Sequence, residues 1–114
     1  DLSVVVDMGE AAVALTGCAH AGLLNIIARA AEPAGRAPVA IIGGTHLAAE
    51  SEDAIAAVAD DLYRRGVRTL VPMHCTGERG ATLLARHFPG KVLRAGTGSI
   101  IAVENDGSLT TRTA

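Results

Sequence analysis

Residues 39–66 read VAIIGGTHLAAESEDAIAAVADDLYRRG, and two different periodicities meet within them. Val39 to Ile42 is an unbroken apolar run rich in β-branched residues, the pattern of a strand covered on both faces. Gly43-Gly44-Thr45-His46 ends that run. Ser51 then stands as an N-cap with Glu52 and Asp53 in the first turn, where carboxylates meet the positive end of the helix dipole. Ile55, Val58, Ala59 and Leu62 fall on one helical face, and Arg64-Arg65-Gly66 closes the helix. The segment is one βα unit and predicts an α/β fold with a largely parallel sheet.

The pattern extends in both directions. Upstream, Val4-Val5-Val6 and Ala11 to Thr16 flank the turn Asp7-Met8-Gly9-Glu10 and read as a hairpin. Leu23, Leu24, Ile27, Ala30 and Ala31 recur at helical spacing over Gly22 to Ala31, and Glu32-Pro33-Ala34-Gly35 stops them. Downstream, Thr69 to Pro72 is a short strand, followed by a helix over Glu78 to Phe88 with Leu83, Leu84 and Phe88 inward and Pro89-Gly90 beyond its end. Lys91 to Arg94 and Ser99 to Val103 are expected as closing strands. Residues 1–108 form the expected domain, and 109–114 read as a loose tail.

The chain has 114 residues, enough for one domain, and is 49% hydrophobic but only 2% aromatic, so its core must be built from small aliphatic side chains. A net charge of -2 with no basic block argues against nucleic acid and anionic membranes as partners. No apolar run approaches the roughly 20 residues a spanning helix needs, so a soluble, cytoplasmic protein is expected. The two cysteines, Cys18 and Cys75, each lie beside a histidine, which points to reduced, chemically placed thiols.

Three of the four histidines share one kind of location. Gly17-Cys18-Ala19-His20, Gly43-Gly44-Thr45-His46 and Met73-His74-Cys75-Thr76-Gly77 each follow a strand and precede a helix. Carboxyl ends of parallel strands line one edge of a sheet, so these loops converge although they are distant in sequence. Imidazoles held by strand ends suit a divalent metal, zinc foremost. His87 falls in the last turn of its helix and complements the dipole. Gly96-Thr97-Gly98 lacks the third glycine and the following helix of a dinucleotide fingerprint. Cys75 with Arg79 suggests a cysteine phosphatase loop, but that loop's arginine lies six residues beyond its cysteine, where Ala81 stands here.

The stretches Leu15-Thr16-Gly17-Cys18-Ala19-His20-Ala21-Gly22 with Asn25-Ile26-Ile27, Ile41-Ile42-Gly43-Gly44-Thr45-His46-Leu47, and Val71-Pro72-Met73-His74-Cys75-Thr76-Gly77 together resemble the carboxyl-terminal half of metallo-β-lactamase-fold hydrolases. Within that superfamily they are most similar to the branch of 7,8-dihydropterin-6-methyl-4-(β-D-ribofuranosyl)aminobenzene-5′-phosphate synthase-like proteins. The resemblance implies an αββα sandwich with metals at one edge of two packed sheets. It implies His20 and His74 as metal ligands, His46 as a ligand or substrate contact, and Cys75, Thr76 and Gly77 as shapers of the substrate site. Gly44 stands where the superfamily usually carries a metal-bridging aspartate, and the family's amino-terminal signature His-x-His-x-Asp-His is not in this chain.

The expected function is therefore part of a metal-dependent hydrolase that uses one or two divalent ions, with manganese or iron as alternatives to zinc. Its substrate is expected to be small, phosphorylated or pterin-like. The expected partner is the missing amino-terminal half of the fold, with homodimerisation as a further expectation, and the chain alone is expected to be inactive. The competing reading is a non-catalytic α/β binding module that keeps the fold without the chemistry.

Overall fold

A computed structural model describes residues 2–113. The expected hairpin is present: β1 (Ser3–Asp7) and β2 (Ala12–Thr16) pair antiparallel. There follow α1 (Leu23–Ala34), β3 (Ala40–Gly44), α2 (Glu52–Arg64), β4 (Thr69–Met73), a 3-10 turn at His74–Thr76, α3 (Gly77–His87) and β5 (Lys91–Val92). The strands form one mixed sheet in the order β1-β2-β3-β4-β5, with β2 to β5 mutually parallel. Each crossover steps the same way along the sheet, and crossovers of one hand then place every helix on the same face.

That face holds the main core. Ala14, Ile41 and Leu70 from the central strands meet Leu23 and Ile27 of α1, Ile55, Ala59 and Leu62 of α2, and Leu83, Leu84 and Phe88 around α3. The helix read from residues 51–65 forms as expected, with the Ser51 hydroxyl accepting from the Ala54 N–H at 3.1 Å. Its first turn is tied to the end of α3, because Glu52 accepts from His87 Nε2 at 2.8 Å and from Arg86 at 2.9 Å. Those two contacts, the His87 bond first, hold the Glu52 carboxyl below its ordinary pKa.

Three expectations need correction. Helix α1 runs through Pro33 to Ala34 and ends on Gly35 in the left-handed conformation (φ 67). A proline in the final turn forfeits one hydrogen bond but leaves the preceding turns intact. The expected strand Lys91 to Arg94 shortens to Lys91–Val92. Residues 109–113, expected as tail, are strand β7 (Leu109–Thr113), paired antiparallel with β6 (Ser99–Val103) in a second, two-stranded sheet. Ala114 and Asp1 lie outside the described residues.

The β6–β7 hairpin alternates cleanly, with Ile101, Val103, Leu109 and Thr111 half-buried and Ile100, Ala102, Thr110 and Arg112 exposed. Its tip is seated at Gly107, where an added Cβ would come 2.2 Å from Val39 Cγ2 and 3.1 Å from Ala11. On the helix-free face of the main sheet Val13, Ala40 and Val71 are fully buried, and this hairpin is the described element left to cover them. The cover stops short of β1. Val4 and Leu15, opposite one another on that face, are 47% and 38% exposed, and Val6 beside them is 39% exposed. No helix among the described residues is long and apolar enough to cross a membrane.

Candidate functional site

The parallel register sets the carboxyl ends of β2, β3 and β4 side by side, with Thr16 opposite Gly43 and Gly44 opposite Met73. The three loops that leave those ends carry three of the four histidines and both thiols. Backbone strain concentrates here. Ala19 (φ 64), His46 (φ 57) and His74 (φ 54) are the non-glycine residues with positive φ among those described. Each such residue costs on the order of 1–3 kcal/mol and persists only where its surroundings impose it.

A set of short hydrogen bonds imposes it. Thr16 Oγ1 donates to the Gly44 carbonyl at 2.8 Å, and the Gly44 N–H donates to the Gly17 carbonyl at 2.9 Å, locking the first loop to the second. Buried Thr45 and Thr76 join their hydroxyls at 2.8 Å, locking the second to the third. The His46 N–H donates to Cys75 Sγ at 3.2 Å, and the Cys75 thiol donates to the Cys18 carbonyl at 3.1 Å. Arg79 donates to the carbonyls of Glu50 and Ala48 at 2.6 and 3.4 Å. That contact bolts α3 to the loop that bears His46 and occupies the arginine weighed above as a phosphate-loop partner for Cys75.

The expected site residues are brought together in two groups. His20 and His46 meet edge to face with ring centroids 4.7 Å apart. His74 lies instead with the thiols: its Nδ1 is 3.5 Å from Cys18 Sγ, and donor atoms of Cys18, His74 and Cys75 all lie within 4.8 Å of one another. Thr76, expected at the substrate, is 1% exposed with its hydroxyl bonded to Thr45, so it fastens the loops from beneath. Gly77 is exposed and takes φ 68 at the start of α3. Cys18 was not among the expected site residues, although its place two residues before His20 was a signal for it.

These donors suit a divalent ion. Zinc–sulfur and zinc–nitrogen bonds of about 2.3 and 2.0–2.1 Å at a tetrahedral angle give a sulfur–nitrogen edge of about 3.5 Å. The separation of Cys18 Sγ and His74 Nδ1, 3.5 Å, matches that edge and equally an N–H···S hydrogen bond, so this pair can meet at an ion or bond directly. Burial foremost and then the neighbouring Cys75 push the Cys18 thiol above its ordinary pKa. Position 44 offers no room for a side chain: a Cβ would stand 2.2 Å from the Gly17 carbonyl oxygen, 2.8 Å from Cys75 Sγ and 3.1 Å from Cys18 Cα.

Beside the His20–His46 pair opens a cleft of about 450 Å³ between α1 and α2. Leu23, Leu24, Leu47 and Val58 form apolar walls, and Asn25 and Glu50 supply polar groups. Over 98% of its length the chain superposes on the crystal structure of Tm1679, a metal-dependent hydrolase of the β-lactamase superfamily, with a TM-score of 0.76 and 32% sequence identity. The chain has the metallo-β-lactamase fold. It accounts for 40% of Tm1679.

Two proteins of Methanocaldococcus jannaschii are also similar to this metallo-β-lactamase-fold chain. One is 7,8-dihydropterin-6-methyl-4-(β-D-ribofuranosyl)-aminobenzene-5′-phosphate synthase, 28% identical over 101 residues that make up 88% of this chain and 34% of the synthase. The other is the uncharacterised protein MJ0448, 29% identical over 77 residues, 65% of this chain and 28% of that protein. The chain thus spans about a third of the length of these curated relatives. No protein-family model matches it.

Proposed function

We propose that this chain forms part of a metal-dependent hydrolase in which His20, His46 and His74 hold one or two divalent ions, zinc first. The observation that supports this reading is the convergence of three histidine-bearing loops at the carboxyl edge of β2, β3 and β4, in a fold shared with a metal-dependent hydrolase. When bound, such an ion supplies Lewis-acid activation of water and of a phosphoryl or carbonyl oxygen. The chain's own residues do the positioning. The hydrogen-bonded loops fix the imidazoles, the apolar walls between α1 and α2 receive a ring or other apolar body, and Asn25 and Glu50 orient its polar edge. Cys75 and Gly77 shape the metal side of the site, with Thr76 beneath them.

The name of the synthase relative supports a small, phosphorylated or pterin-like substrate. The remaining donors are to come from the rest of the fold, which would pack where Val4, Val6 and Leu15 are uncovered. The site of action is taken to be the cytoplasm. A second reading, a non-catalytic binding module, draws support from position 44, which has no space for a bridging carboxylate.

Metal analysis of the full-length protein tests the proposal. His20→Ala and His74→Ala are each expected to lose metal. Undiminished metal in both variants rejects the hydrolase reading and leaves the binding module.

A further inference from the structure

Neutral imidazole carries its proton on one nitrogen, and the partner of that nitrogen decides which lone pair is left for other work. His74 is exposed, so packing does not choose for it. Its Nδ1 faces Cys18 Sγ at 3.5 Å, a distance suited to an N–H donor and a sulfur acceptor. We propose that Cys18 is a positioning residue for His74: its sulfur accepts the Nδ1–H and so presents the Nε2 lone pair to the ligand space. This rests on reading His74 as a metal ligand.

Cys18 is itself held for the task. Its carbonyl takes the Cys75 thiol proton at 3.1 Å, and Cys75 Sγ takes the His46 N–H at 3.2 Å, so the sulfur layer links all three loops. At the other side of the contact, the Gly77 N–H donates to the His74 carbonyl and holds His74 in its left-handed conformation. Gly44 leaves the space that both cysteines need, since a Cβ there would press on Cys18 Cα and Cys75 Sγ alike. A partner on the far nitrogen of a ligating histidine fixes ring orientation and raises ligand basicity, and its loss weakens metal binding about 10–100-fold.

The test uses the full-length protein with Cys18→Ala and Cys18→Ser, zinc affinity measured against a chromophoric chelator, and ring nitrogen shifts of His74 measured by NMR without metal. Wild type is expected to show the Nδ1–H tautomer. Cys18→Ala is expected to lose that preference and to bind zinc about 10–100-fold more weakly, while Cys18→Ser, whose hydroxyl can accept the same proton, recovers most of both. An Nε2–H tautomer in wild type, or Cys18→Ala with unchanged ring shifts and zinc affinity, overturns the proposal. If His74→Ala binds zinc like wild type, the ligand reading falls on its own, and the ring shifts still decide whether Cys18 sets the tautomer.

Discussion

At the amino ends of the parallel strands the chain turns on glycine: Gly35 (φ 67) ends α1, and Gly66 (φ 106) leads from α2 into β4. Val67, just beyond, is fully buried, and Arg68 lies 4.1 Å over the Tyr63 ring, which in turn meets Phe88 edge to face. At the carboxyl ends positive φ falls not only on glycines such as Gly43 and Gly77 but also on Ala19, His46 and His74, and the side chains nearby are thiols and imidazoles left half-buried or exposed. Glycine takes such conformations without a Cβ penalty, whereas alanine and histidine must be forced into them. One end of the sheet is organised for stability. The other accepts strain and gathers histidines and thiols at the ends of three strands.

Three changes can break or sharpen that contrast. The largest effect is expected from Leu62→Ala, which empties a fully buried position on α2. It should lower stability by about 2–5 kcal/mol in denaturant titration while the folded fraction keeps its metal stoichiometry. Metal loss beyond the unfolded fraction would show that the two ends are not independent. Gly44→Ala comes next, at about 1–3 kcal/mol, because the new methyl meets backbone rather than a flexible side chain. Metal occupancy should here fall further than stability does, and a variant that keeps wild-type metal content would contradict the contrast.

The smallest effect is expected at the half-buried Glu52 cluster. Its carboxyl pKa is lowered in the folded chain, so its contribution is present above the ordinary carboxylate range and fades as pH falls through the folded value. The melting-temperature gap between wild type and Glu52→Gln should be open at neutral pH and shrink as the pH is lowered through and below the ordinary carboxylate range. A gap that widens with acid would reverse the assignment.

Legibility from sequence followed the range of the interactions involved. The 39–66 unit was readable because Ser51, the apolar stripe and Gly66 act within a few residues of one another, and the strand-end placement of His20, His46 and His74 follows from parallel topology alone. Strand β7 had a signal that composition masked: Asn105-Asp106-Gly107-Ser108 is a hairpin turn, and the threonines after it are β-branched. The approach of Cys18 to His74, 56 residues away, and the burial of Thr76 against Thr45 depend on how adjacent loops close, which no local pattern encodes.

Gly44 carries a consequence for redesign of the site. Changing it to aspartate would not simply add a carboxylate at this edge, because the first atom of the new side chain would collide with the Gly17 carbonyl oxygen and with Cys75. Making room would require the neighbouring loop and the thiol to move together. A new donor is therefore easier to introduce on the residues around position 44 than at it.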